Sequence, residues 1–121
     1  LKKIIKIVHK KIRRKLRSFL IKNKTKTFVI LDIPLLLENK INKKNDILVY
    51  VESSKTDILR KLNKRKNFNL EILNKFKKIQ LPLVYKKRNS RFIIKNKFTQ
   101  KSVKDGIREI LKIIKNERSS S

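Results

Sequence analysis

Three short runs of β-branched and aromatic residues alternate along this chain with longer stretches in which apolar side chains recur every third or fourth position. Residues 27–31 (Thr-Phe-Val-Ile-Leu), 47–51 (Ile-Leu-Val-Tyr-Val) and 92–94 (Phe-Ile-Ile) are apolar almost throughout rather than alternating. That is the pattern of strands covered on both faces in a parallel sheet. The first run ends at Asp32-Ile33-Pro34, because proline has no N–H to give to a ladder. Around the strands the helical spacing is clear. Leu1, Ile4/Ile5, Val8, Ile12, Leu16 and Phe19/Leu20 predict one helix with a buried stripe over residues 1 to about 22. Ser53 or Ser54, with Asp57 behind it, predicts a capped helix running to about Arg65. Asn69 caps a further helix carrying Ile72, Leu73, Phe76 and Ile79. Pro82 opens a short segment to Arg88, and Ser102 with Asp105 opens a last helix whose stripe is Val103, Ile107, Ile110/Leu111 and Ile114. Residues 116–121 are polar and expected to fray. Strands alternating with amphipathic helices predict an α/β fold around a parallel sheet. With three strands, that sheet is expected to be partial.

Several chemistries are excluded by composition. With no cysteine there is no disulfide framework, thiolate metal site or cysteine nucleophile, and the single histidine, His9, cannot build a histidine cage. Apolar runs of at most five residues are too short to span a bilayer, and no secretory signal pattern opens the sequence, so the cytoplasm is the expected location. The only glycine is Gly106, so these residues encode no glycine-rich phosphate cradle. The chain has no methionine and opens on Leu1, and it is expected to be the later part of a longer protein.

The formal charge is +27, from 36 basic and 9 acidic residues. Three readings bear on it. A surplus of this size suits a small nucleic-acid-binding module. The first twenty residues suit a cationic amphipathic helix on a membrane surface. The third reading is compositional: lysine, isoleucine and asparagine share A/T-rich codons and alanine is absent. A dedicated nucleic-acid arm would concentrate its lysines, whereas here they are spread over almost every stretch. The composition therefore favours the third reading, with neither nucleic acid nor membrane as a partner.

Three features could carry chemistry. Asp32 ends an apolar run, and the C-terminal edge of a parallel strand is where α/β folds bind ligands; such an aspartate can equally cap a turn. Arg60, Lys61, Lys64 and Arg65 crowd one helix end, either to neutralise a transferring phosphoryl group or as a solvated face. His9 and Arg13, four residues apart, share a helix face on which they could grip an anion. With one histidine and no nucleophile elbow, no Ser-His-Asp arrangement exists.

The order of these features resembles the C-terminal three-fifths of dephospho-coenzyme A kinases. The family's Leu-Asp-(Ile/Val)-Pro-Leu-Leu-x-Glu stretch stands here as residues 31–38, Leu-Asp-Ile-Pro-Leu-Leu-Leu-Glu. Its His-Pro-x-x-Arg pattern is similar to His9-Lys10-Lys11-Ile12-Arg13, and its Arg-x-x-x-Arg to Lys61-Leu62-Asn63-Lys64-Arg65. Its Gln-Met-Pro matches Gln80-Leu81-Pro82, followed by Lys86, and the asparagine of its Val-Ile-x-Asn falls on Asn96.

The resemblance implies a partial P-loop-kinase-like parallel sheet flanked by helices, with a small helical lid. Residues 1–65 and 91–121 would form core parts and residues 66–90 the lid. It implies transfer of the γ-phosphoryl of ATP to the 3′-hydroxyl of dephospho-CoA, the last step of coenzyme A synthesis, with Mg²⁺. Asp32 would be the Mg²⁺-side acid, acting through water. Lys61 and Arg65 would be lid-side phosphate contacts, His9 and Arg13 would lie towards the acceptor, and Asn96 would sit near the adenine edge. The sequence departs from the family at Lys10 (proline in the family), Lys61 (arginine), Ser90-Arg91 (Ala-Asp), and Lys97-Phe98, where a glycine is usual. The family's P-loop and its early aspartate base are expected ahead of Leu1, so the 121 residues alone are expected to be inactive.

Overall fold

The computed structural model describes residues 2–120 and divides into two compact units, the first ending at Lys44 and the second running from Asn45.

The first unit is built on helix α1 (Lys2–Lys22), whose spacing the sequence anticipates. Asn23 closes it, its backbone N–H and its side-chain Nδ2 both donating to Phe19 O, at 3.1 and 2.9 Å. The apolar stripe is only partly covered, since Ile4 and Val8 remain 63% and 45% exposed. Residues 28–33, at the heart of the first expected strand, have no regular secondary structure, and Ile30 is 87% exposed. β-Branched residues favour an extended backbone but do not make a strand without a ladder partner. The only sheet among the described residues is formed elsewhere.

Residues 34–40 then form a tight helical turn. The Ile41 N–H reaches back to Leu36 O (3.0 Å) and the Lys40 N–H to Leu37 O (3.1 Å), with Lys40 at φ 50°. These are the two bonds of a Schellman termination, with Lys40 in the left-handed position that glycine usually fills. The residue just beyond it, Ile41, is buried, as the motif's apolar contact requires.

The second unit holds the sheet. Strands β1 (Val49–Glu52) and β2 (Phe92–Lys95) pair in parallel, Val49 opposite Phe92 and Glu52 opposite Lys95. Between them run helices α2 (Lys55–Asn63), α3 (Leu70–Ile79) and α4 (Leu83–Arg88), and α5 (Gln100–Ser119) follows β2. The unit is therefore a mixed helix–strand structure with a parallel pair, as expected in kind, but with two strands in place of three. Nor are those strands covered on both faces, since Val49, Val51 and Ile93 are 40%, 56% and 43% exposed.

The caps follow local chemistry. Ser54 Oγ accepts from Asp57 N, and Asn69 Oδ1 accepts from Glu71 N and Ile72 N, as the sequence predicts. The helix expected to reach Arg65 stops at Asn63, because Lys64 caps it and Arg65 N turns back to Leu62 O at 3.0 Å. The last helix begins earlier than Ser102. Thr99 Oγ1 caps it by accepting from Ser102 N, while the Ser102 hydroxyl donates to Thr99 O. Its C-terminal end does not fray at Asn116, and the helix continues to Ser119.

Gly106 explains how α5 approaches β2. A Cβ there would stand 3.0 Å from Ile94 Cγ2 and 3.3 Å from Ile94 Cγ1. Ile94 and Ile114 are the buried apolar side chains of this unit, so the one glycine sits where the helix backbone meets the core.

Candidate functional site

In a parallel pair the strands leave the sheet on the same side, and ligands of α/β folds gather there. At that edge of the second unit, Asn96 N donates to Glu52 O at 2.8 Å, continuing the ladder one residue beyond β2. Ser53 Oγ donates to Asn96 O at 2.9 Å. The Asn96 side chain turns inward on its own loop, its Oδ1 accepting from Phe98 N at 2.8 Å. That bond holds Phe98 at φ 58°, a left-handed conformation that costs a bulky residue strain. Glycine adopts such a φ without that cost. Lys61 reaches the same loop from α2, its Nζ 5.4 Å from the centre of the Phe98 ring, within cation–π range.

Lys61 and the Asn96 loop, predicted separately, are thus brought together. Arg65 lies beyond the end of α2, in the turn that leads towards Phe68. The sequence reading marked Lys97-Phe98 only as a departure from a usual glycine and did not anticipate the contact of the Phe98 ring with Lys61. It also missed Glu52, which accepts from Lys87 Nζ at 2.5 Å. That hydrogen bond holds the Glu52 carboxyl below its ordinary value against the opposing effect of desolvation, helped by the nearby charges of Lys87 and Lys95.

In the first unit, Arg13 Nη2 donates to Asn39 O at 2.7 Å. Asn39 directly precedes the left-handed Lys40, so its carbonyl belongs to the last turn of the 34–40 segment, and a guanidinium there completes the turn as cations do at helix C-termini. His9 and Arg13 line one open groove of about 480 Å³ together with Lys2, Ile5, Lys6, Lys10 and Asn39. His9 is buried, and its Nδ1 has no hydrogen-bond partner.

Asp32 is exposed within the irregular 28–33 segment. No cluster of three or more His, Cys, Asp or Glu side chains able to hold a metal exists among the described residues. A single exposed carboxylate still suits Mg²⁺, which keeps most of its waters and takes one or two protein oxygens. No described helix is long and apolar enough to cross a membrane.

No curated protein matches the chain. The sequence model of the dephospho-CoA kinase family matches it over residues 1–102.

Proposed function

The chain belongs to the dephospho-CoA kinase family, and on that premise we propose that it is the part of an ATP-dependent kinase that phosphorylates the 3′-hydroxyl of dephospho-CoA to give coenzyme A. The observation that carries this reading is the meeting of Lys61 with the Asn96 loop at the end of the parallel pair. Ligands of parallel α/β folds bind outside the carboxyl ends of the strands, and a cation at that place suits the phosphates of a nucleotide. In this reading Asn96 lies at the adenine edge and Lys61 and Arg65 contact phosphates. Residues 66–90, with α3 and α4, act as the lid between core parts 1–65 and 91–121. Lysine at 61 keeps the charge but not the bidentate fork of the family's arginine.

Asp32 is the residue that would hold Mg²⁺ through water, and the ion, when bound, offsets charge on the triphosphate. His9 and Arg13 orient the acceptor. In the transfer, the ribose 3′-oxygen forms a bond to the γ-phosphorus as its hydroxyl proton passes to solvent, the bond from that phosphorus to the β,γ-bridging oxygen breaks, and ADP leaves. The chemistry asks the protein chiefly for positioning and charge stabilisation. The 121 residues hold one glycine, inside α5, so the phosphate cradle of this mechanism must come from residues outside them.

The test is transfer of label from γ-labelled ATP to dephospho-CoA, measured with the 121 residues alone and with the same residues expressed together with the coding sequence upstream of Leu1. Turnover is expected only from the longer polypeptide, and Asp32→Ala is expected to lower its kcat at least tenfold. Turnover by the 121 residues alone would overturn their proposed inactivity. A longer polypeptide that carries a P-loop yet leaves dephospho-CoA unmodified would overturn the kinase reading.

A further inference from the structure

We propose that Phe98 is a positioning residue for Lys61: its ring holds the ammonium beside the strand-end loop without neutralising it, so the full charge stays available to a phosphate. The inference rests on the reading of Lys61 as a phosphate contact and adds what keeps that side chain in place.

A lysine four residues after an aspartate on a helix ordinarily pairs with it. Asp57 stands in that relation to Lys61 on α2, yet its carboxylate is taken by Arg60. No acidic side chain among the described residues pairs with Lys61. Its Nζ lies instead 5.4 Å from the centre of the Phe98 ring. A carboxylate would fix an ammonium by cancelling its charge, and an incoming anion would have to displace that carboxylate. An aromatic face attracts the same cation through its quadrupole and carries no net charge, so Lys61 is steered but not neutralised. Restraint matters here because lysine has a flexible four-carbon stem and no planar fork to lock on to a ligand.

The ring is itself held in place. Phe98 N donates to Asn96 Oδ1 at 2.8 Å, Lys97 N to Ser102 Oγ at 3.2 Å and Asn96 N to Glu52 O at 2.8 Å. These bonds tie the loop to the end of β1 and to the first turn of α5. A left-handed φ at a bulky residue persists only where the surroundings over-determine it. Phe98 also remains 38% exposed, so it is not an ordinary core side chain. Two departures from the dephospho-CoA kinase pattern therefore meet in space, lysine in place of arginine at 61 and Lys97-Phe98 where a glycine is usual. The second supplies the restraint that the first loses.

The pairing is tested in the 121-residue chain by proton NMR, because protons above an aromatic face are shifted upfield by its ring current. The Lys61 ε-methylene protons, identified by their loss in Lys61→Arg, are expected upfield of those of the other lysines. The shift is expected to vanish in Phe98→Leu, which keeps apolar bulk, and to persist in Phe98→Tyr. A Lys61 signal among those of the other lysines would overturn the pairing.

For the positioning role, ATP is the probe, titrated calorimetrically into the polypeptide that includes the coding sequence upstream of Leu1. Phe98→Leu is expected to weaken ATP binding about two- to fivefold, the worth of one exposed cation–π contact, and Phe98→Tyr to retain the native affinity. In a Lys61→Arg background the Phe98→Leu loss is expected to disappear, because the guanidinium fork orients itself on phosphate. Equal losses in both backgrounds would overturn the role, since a packing defect at Phe98 does not depend on the residue at 61. Equal losses with intact transfer to dephospho-CoA would remove Phe98 alone. The expected dependence on residue 61, in a polypeptide that leaves dephospho-CoA unmodified, would support Phe98 and remove only the kinase reading.

Discussion

Substituting Gly106 by alanine separates two forces that act on the same atom. Glycine inside a helix is about 0.8–1.0 kcal/mol less favourable than alanine, so a free-standing α5 would gain roughly that amount. The added methyl, however, meets Ile94 Cγ2 at 3.0 Å and Cγ1 at 3.3 Å, and these atoms belong to a buried, branched side chain with little room to turn away. Overpacking of this kind costs about 1–3 kcal/mol. In the native background the net effect of Gly106→Ala is therefore a loss of roughly 0–2 kcal/mol. In an Ile94→Ala background both γ-carbons are gone, and the same substitution is expected to stabilise by about 1 kcal/mol. The coupling, about 1–3 kcal/mol, is the steric term alone. Urea unfolding of the four chains, followed by circular dichroism, measures the cycle. Equal effects of Gly106→Ala in both backgrounds would show that α5 does not touch β2 at this point, and the account of the lone glycine would fall.

Other outcomes follow from backbone and charge. Lys40→Gly removes a left-handed cost of about 1–2 kcal/mol and adds a glycine entropy cost of about 0.5–1 kcal/mol, so a rise of about 0–1.5 kcal/mol in unfolding free energy is expected from urea curves. A loss would contradict the Schellman assignment. Asn69→Ala should cost about 1 kcal/mol, because two N–H groups at the start of α3 lose their acceptor; thermal unfolding reads it. Glu52 has its carboxyl lowered by the Lys87 hydrogen bond. Its contribution is therefore present above the ordinary carboxylate value and lost as pH falls through the lowered folded value. In Lys87→Gln that acid loss should shrink, and an unchanged stability-against-pH profile in the acid range would remove the Glu52–Lys87 pair as its cause.

What was legible in the sequence is what local chemistry determines alone. Ser54 and Asn69 carry side-chain oxygens that satisfy the first N–H groups of a helix, and both helices begin where those residues stand. The apolar spacing of α1, α3 and α5 is likewise intrinsic to the chain. The expected strand at residues 27–31 failed because a strand is a relation between two segments, and composition names only one of them. Thr99 was overlooked as a cap for a related reason. Ser102 and Asp105 offered an equally good capping pattern three residues later, and the competition was decided by Ser102 donating back to Thr99 O.

The functional residues divide along the same line. Motif spacing marked Lys61 and Asn96, yet their relation runs through Phe98, which the pattern marked only as a departure from glycine. Its ring lies beside the Lys61 ammonium, so the departure from glycine adds an apolar surface where the pattern has none. Arg13 shows the converse. Its spacing from His9 suggested a shared anion, but one of its donors is committed to the carbonyl that ends the 34–40 turn. The 34–40 turn thus recruits the arginine through the Asn39 carbonyl at its end, which fixes the guanidinium fork. Substituting Arg13 by lysine keeps the charge but loses that fork, and so should lower the unfolding free energy by about 1 kcal/mol, read from urea curves. An unchanged value would mean that charge alone, and not the anchored geometry, completes the turn.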